Sequence, residues 1–279
     1  MVSRNTPTTL QTQVISNRTF DSLANGIRNV VANDFAVAVA RSAISGYKSI
    51  RKFGGNPSVA ASSTEDVWSA GGTYSGWLTS ASAVRIQAGG NGADTSDGNG
   101  ARKVVIQGLD ENWADASEEV TTAGGSASSA TTTTFIRVFR AYVSDVGTYT
   151  GANTGAVTIE TTGGVVLASI EAGLGQTQMS MYTIPAGYNA YLRNCRAQVD
   201  GNKAMDMFMF QRQNADDVTT PFTGKRLVDE FRQLIGEADR YYDSLSVFPA
   251  KTDLWFSAVN GAGNTGACTV SYDLVLIAT

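Results

Sequence analysis

From residue 57 to the end of the chain, short runs of alternating apolar and polar residues are cut at close intervals by clusters of Gly, Asn, Asp, Ser and Thr. That punctuation limits what the chain can fold into, because period-two alternation marks half-buried strands and regular turn clusters mark a sandwich or barrel. Strands are expected at 83–88, 102–108, 116–122, 134–143, 156–161, 164–171, 177–184, 188–199, 204–213, 253–260 and 267–278. Met205, Met207 and Met209 alternate with Phe208 and Phe210, so this run is expected to be a central strand covered on both faces. The fold class is mainly β.

Other segments depart from this pattern. Residues 1–18 are polar and read as an extended arm. Phe20, Leu23, Ile27, Val30 and Val31 recur at three and four residues, which predicts a helix at about 20–32. Phe35, Val37 and Val39 alternate as a strand would, although the Ala-rich stretch 36–45 could equally be helical. Gly54-Gly55-Asn56-Pro57 reads as a break. It divides the chain into an N-terminal arm and helical anchoring segment, 1–56, and a β body, 57–279. Residues 121–134, TTAGGSASSATTTT, read as a flexible loop or a hairpin tip. Leu227, Phe231, Leu234 and Ile235 lie at helical spacing, yet the same residues could form strands.

Charge is scarce and unevenly placed. Only 16% of the 279 residues are Asp, Glu, Lys or Arg, against roughly 25% in an average soluble protein. Seven Lys and Arg against two Asp make residues 1–56 net +5, leaving −9 on the remainder. The split fits either a basic arm with an acidic partner, to which Arg4, Arg18 and Arg28 would contribute, or a solvated face. The basic residues are not clustered or interleaved with aromatics as specific nucleic-acid binding requires.

The chain has no histidine, which removes the commonest general base and the commonest metal ligand. Cys195 and Cys268 are the only cysteines and lack metal-site spacing, so two buried thiols are expected in preference to a disulfide. The first residues lack the apolar core of a signal peptide, and no apolar run approaches the ~20 residues of a membrane helix. Synthesis in a cytoplasm, without membrane association, is expected.

The clusters that could carry chemistry have simpler readings. Asp94, Asp97 and Asn99 could offer oxygen ligands to a cation, but Val105 stands where a calcium-loop Glu would be needed, so a turn without metal is expected. Asp110-Glu111 and Glu118-Glu119 lie on the two arms of one predicted hairpin, where exposed carboxylates need no catalytic role. The glycine-rich runs match no phosphate-binding pattern. No enzyme activity, cofactor or metal is expected. Trp68, Tyr74 and Trp77 are expected to fill a core edge or a subunit seam, with Phe20, Ile27 and Val30 adding apolar surface to that seam.

An ordered set of short motifs resembles a family of tailed-phage virion proteins from marine phages and cyanophages. It comprises Trp68, Gly71-Gly72, Tyr74, Gly98-Asn99-Gly100-Ala101-Arg102, Gly108-Leu109-Asp110 and Glu119-Val120. Further along come Phe135, Arg137, Val138, Gly147, Gly175-Gln176-Thr177 and Tyr182-Thr183-Ile184-Pro185-Ala186-Gly187-Tyr188. Lys251-Thr252-Asp253-Leu254 and Ser271-Tyr272-Asp273-Leu274-Val275-Leu276-Ile277 complete it, so the resemblance runs from about residue 50 to the end.

The resemblance implies a virion structural protein with a jelly-roll-like β-sandwich. Within it, Ile184-Pro185-Ala186-Gly187-Tyr188 reads as a corner between strands, and Lys251-Thr252-Asp253 as a strand start at a rim. Within that class a capsid cement or decoration protein, made in the host cytoplasm and carried on the virion, is expected, because a shell under internal pressure gains from many copies that each bridge neighbouring capsomers. Its expected partners are the major capsid protein or other virion proteins and further copies of itself, as a homotrimer. A tail, baseplate or head-fibre component is the alternative, as is a host-glycan-binding β-domain.

Overall fold

Sixteen strands dominate the described part of the chain, which in this computed structural model comprises residues 35, 37–87, 91–201, 203–261 and 265–279. In chain order they are β1 (Tyr47–Val59), β2 (Ser63–Asp66), β3 (Ser82–Ile86), β4 (Ala101–Asp110), β5 (Asp115–Thr121), β6 (Thr134–Val146), β7 (Val157–Thr161) and β8 (Val166–Ile170). There follow β9 (Tyr182–Thr183), β10 (Tyr188–Val199), β11 (Met205–Arg212), β12 (Arg226–Leu234), β13 (Glu237–Tyr241), β14 (Val247–Phe248), β15 (Asp253–Asn260) and β16 (Gly266–Ala278). No helix among the described residues is long and apolar enough to cross a membrane.

The first two strands, β1 and β2, and the last eight, β9–β16, make a sandwich. One sheet runs β1-β16-β10-β13, with β14 also on β10, and the facing sheet runs β12-β11-β15-β2, with β9 also on β15. Counting β13 and β14 as two pieces of one strand and setting β9 aside gives eight strands. The first pairs with the eighth and the eighth with the third, while the second pairs with the seventh and the seventh with the fourth. This interleaving of early and late strands is the jelly-roll connectivity, two Greek keys wrapped into a double sheet. Its core is built by the inward-facing alternates: Met205, Met207 and Met209, Leu254 and Phe256, and Leu192, Tyr272 and Leu274 are all fully buried.

Between the second and third of these eight strands the chain inserts a second lobe. Its six-stranded antiparallel sheet runs β5-β4-β6-β3-β7-β8 and encloses Val104, Ile106, Phe135, Val138, Ile159, Leu167 and Ile170. The uncharged segment 122–133, expected as a flexible loop or hairpin tip, lies along β3 and substitutes for a strand. Ser128 and Thr131 each give a backbone N–H to a β3 carbonyl and take a β3 N–H on the side-chain hydroxyl, at 2.8–3.1 Å. A run of small hydroxylated residues can do this because each side chain supplies an acceptor that an extended backbone would have supplied.

Several expectations need correction. The arm at 1–18 and the helix at 20–32 lie outside the described residues. Residues 37–40 are helical, closed by Arg41 N–H to Val37 C=O at 2.9 Å, so the Ala-rich stretch follows its helical propensity up to that point. Gly54-Gly55-Asn56-Pro57 is no break, and the boundary drawn at 56/57 falls inside β1. A Cβ on Gly54 would lie 2.5 Å from Ser180 N and 2.8 Å from Val67 O, so this glycine marks a close backbone approach. Asn56 and Pro57 sit at the register shift that follows, where Pro costs no ladder bond.

The segment 226–241 is a pair of strands. Its helix-like spacing arises because the β11–β12 pairing shifts register between Met205 and Met207, and Gln233 there has φ 50°. The extra residue lets Phe231 and Leu234, three apart, both turn to the core. Most of the strand expected at 177–184 is irregular, with Met179 bridging singly to Phe53 and Trp68. The Met face of β11 is fully buried, whereas Phe208 and Phe210 on the other face are half-buried. Cys195 and Cys268 are buried free thiols, and burial pushes each thiol up to about 12.

Candidate functional site

Where the inserted lobe meets the jelly roll, three of the motif residues singled out in the sequence, Arg137, Thr183 and Asp253, come together. Arg137 of β6 donates from Nε and Nη2 to the two carboxylate oxygens of Asp253 at the start of β15, each at 3.0 Å. Its Nη1 donates to the Leu78 carbonyl at 2.7 Å, and the guanidinium lies 4.9 Å from the Trp113 ring centre and 5.4 Å from that of Trp77. Thr183 of the Tyr182–Gly187 motif donates its hydroxyl to Asp253 at 2.6 Å. The ion pair is nearly inaccessible, with side chains 3% and 2% exposed. Lys251-Thr252-Asp253 is therefore a buried junction and not a rim, since Thr252 and Asp253 are inside. The corner expected at 184–188 is present, with Gly187 at φ +77°.

The carboxylates singled out in the sequence serve the backbone. Asp94 is buried and accepts from the amides of Ala101, Thr154 and Gly155 at 2.7–3.1 Å, tying the 91–101 loop to the 153–155 turn. Asp110 accepts from the amides of Asn112 and Ala114 and closes the β4–β5 turn. Glu118 accepts from the amides of Thr132 and Thr133 at 2.9 and 2.7 Å. Glu119 pairs with Lys103 at 2.9 Å, and that hydrogen bond holds its carboxyl below the usual range. Among the described residues no group of three His, Cys, Asp or Glu side chains is arranged to hold a metal ion.

The aromatic cluster also resolves inward. Trp68 and Tyr74 are buried, with ring centres 5.1 Å apart, and Trp77 and Trp255 extend the stack at 5.0 and 5.4 Å. Trp68 is thus part of this chain's own core and offers nothing to a subunit seam, and Trp77 is half-buried against the same cluster. Rings packed edge to face in a core leave no open platform for a sugar. The other proposed seam residues, Phe20, Ile27 and Val30, and the arm residues Arg4, Arg18 and Arg28 lie outside the described residues.

A surface that the sequence did not single out lies instead on one edge of the sandwich. Val218, Phe222, Leu227, Ile235, Tyr241, Leu245 and Val247, 44–74% exposed, are seven of the eleven large hydrophobic residues exposed among the described residues. They belong to β12, β13 and β14, to the segments that join these, and, for Val218 and Phe222, to the stretch that leads from β11 into β12; β12 ends one sheet and β13 the other. The charges beside them are satisfied within the chain: Arg232 pairs with Asp206 and Glu230 at 3.0 and 2.9 Å, Arg196 pairs with Asp239, and Arg240 pairs with Asp229. Hydrogen bonding to Arg196 holds the Asp239 carboxyl below its usual range. The helix-like spacing of 227–235 concealed this edge, since it could not tell which apolar residues a bulged strand would turn outward.

No protein-family model and no curated protein matches the chain. Among solved structures it is similar, at 10% identity and a TM-score of 0.23, to a structure of infectious bursal disease virus, Gt strain, over 84% of this chain and 73% of that one. It is similar at 10% identity and a TM-score of 0.20 to T=1 particles derived from infectious bursal virus, over 84% of this chain and 75% of that one.

Proposed function

We propose that this chain is a non-enzymatic structural protein of a tailed-phage virion, a cement or decoration protein that binds and stabilises the head shell as a trimer. The observation that carries this reading is the concentration of exposed apolar side chains from Val218 to Val247 on one sandwich edge, beside two strands with free edges. Apolar residues gathered in one region of a folded chain mark a contact surface. Closed symmetry hides such an edge between copies. The jelly-roll topology supports the reading, because capsid proteins use this fold widely, though lectins do too. So does the gathering of Arg137, Thr183 and Asp253, all from the resemblance motifs, into one buried junction.

In this reading the basic residues ahead of β1, Arg4, Arg18, Arg28 and Arg41 against Asp21 and Asp34, add an electrostatic attachment to an acidic surface of the major capsid protein. The test is to delete residues 1–18 and measure binding to virions stripped of the protein. The body folds as before, binding weakens, and Arg4→Glu with Arg18→Glu weakens it most at low salt. Equal binding of the truncated and full chains contradicts the anchoring role.

A further inference from the structure

A cleft of about 400 Å³ opens between β1 of the jelly roll and the inserted lobe. Its walls include Lys52 from β1, Phe139 and Arg140 from β6, Gln176, and Tyr182 from β9. Ile50 joins them, and the Phe139 and Tyr182 rings pack 5.0 Å apart. Lys52 is 7% exposed. Its ammonium has three hydrogens to donate, and within the chain it bonds to the Phe139 carbonyl at 2.5 Å. No Asp or Glu lines the cleft, while Arg51, Lys52 and Arg140 all do.

An amine held out of water beside like charges tends to give up its proton, and an anion that completes the site restores the charged form. The lining also selects the kind of anion. Ile50 and Phe139, the latter backed by the buried Tyr182 ring, present apolar surface next to the cations, which suits an anionic head on an apolar body better than a hydrated inorganic ion. We propose that this inter-lobe cleft binds an organic carboxylate, with Lys52 and Arg140 engaging the carboxylate and Ile50 and Phe139 packing its apolar part.

Burial, reinforced by the Arg140 charge, pushes the empty-site Lys52 ammonium down to about 7, so the amine is largely neutral at pH 8. A bound carboxylate favours the charged form, and binding at pH 8 therefore takes up a proton. The other charged groups lining the cleft from the packed elements are Arg140 and Arg51.

The test is calorimetry on the full chain at pH 8 in two buffers of different ionisation enthalpy, with 3-phenylpropionate as a free carboxylate. The capped peptide acetyl-Leu-Glu-Leu-amide, whose only carboxylate is a side chain, distinguishes a partner protein's acidic segment from a small molecule. At least one probe binds with Kd below about 1 mM, taking up close to one proton. Lys52→Met abolishes the proton uptake, and Arg140→Gln, at an exposed position that leaves folding intact, weakens binding about tenfold. Absence of binding by both probes, binding unaffected by either substitution, or inorganic phosphate binding as tightly as the carboxylates overturns the proposal.

Discussion

Arg137 and Asp253 form a two-pronged ion pair, Nε to Oδ1 and Nη2 to Oδ2 at 3.0 Å, that pins the inserted lobe to the jelly roll. The two residues are 116 positions apart, Arg137 the fourth residue of β6 and Asp253 the first of β15. The guanidinium is further held by two backbone carbonyls and flanked by Trp77 and Trp113.

Removing one partner leaves a buried charge without its counterion. Arg137→Met and Asp253→Asn are each expected to destabilise the protein by about 3–5 kcal/mol in denaturant unfolding. The double variant Arg137→Met, Asp253→Asn is expected to cost less than the sum of the two single changes, because no lone charge remains. Additive losses contradict this coupling.

The stability of the fold is expected to rise with pH between 7 and 8. The Lys52 amine is protonated up to its ordinary value near 10.5 in the unfolded chain but only up to about 7 when folded. Across that interval the unfolded state binds the extra proton, so raising the pH favours folding. The two buried thiols act in the opposite direction as the pH nears and passes their ordinary value of 9.0, where the unfolded chain loses thiol protons that the folded chain keeps, and Tyr272 does so near its ordinary 10.0. Denaturant midpoints that rise from pH 7 to 8, with the slope lost in Lys52→Met, are the predicted result.

How far the sequence disclosed this fold depends on what each signal depends on. Alternation located β4, β5, β6, β10, β11, β15 and β16 to within a few residues, because a strand with one buried face must show it. β1 escaped notice because Gly54 and Gly55 look like turn residues, although their smallness answers a close approach by Ser180, Val67 and Gln178 from distant parts of the chain. β12 was ambiguous because a bulge mimics helical spacing. At the candidate site, Arg137 and Asp253 were visible as motif members but not as partners. The apolar edge was hidden, since exposure of Leu227, Ile235 and Tyr241 depends on where the sheets end.

Gly54→Ala is expected to destabilise by about 1–3 kcal/mol or more, because its methyl group meets rigid backbone on the facing segment. Gly125→Ala is the control. It has open space around the added atom, and its effect stays within about 0.5 kcal/mol. Equal melting temperatures for the two variants contradict the close-approach reading of β1.

Substituting the exposed edge separates association from folding. Leu227→Lys combined with Ile235→Lys is expected to leave the unfolding midpoint nearly unchanged, because both side chains are about half or more exposed. Light scattering is expected to change from trimer to monomer. A wild-type monomer at micromolar concentration, or a variant that still assembles, contradicts the seam at β12–β13.

The most direct measurement of the proposed role is the copy number of this chain per phage particle, from quantitative protein gels of purified virions. The account predicts many copies, in a fixed simple ratio to the major capsid protein. A handful of copies matching tail or baseplate symmetry, or none at all, contradicts it.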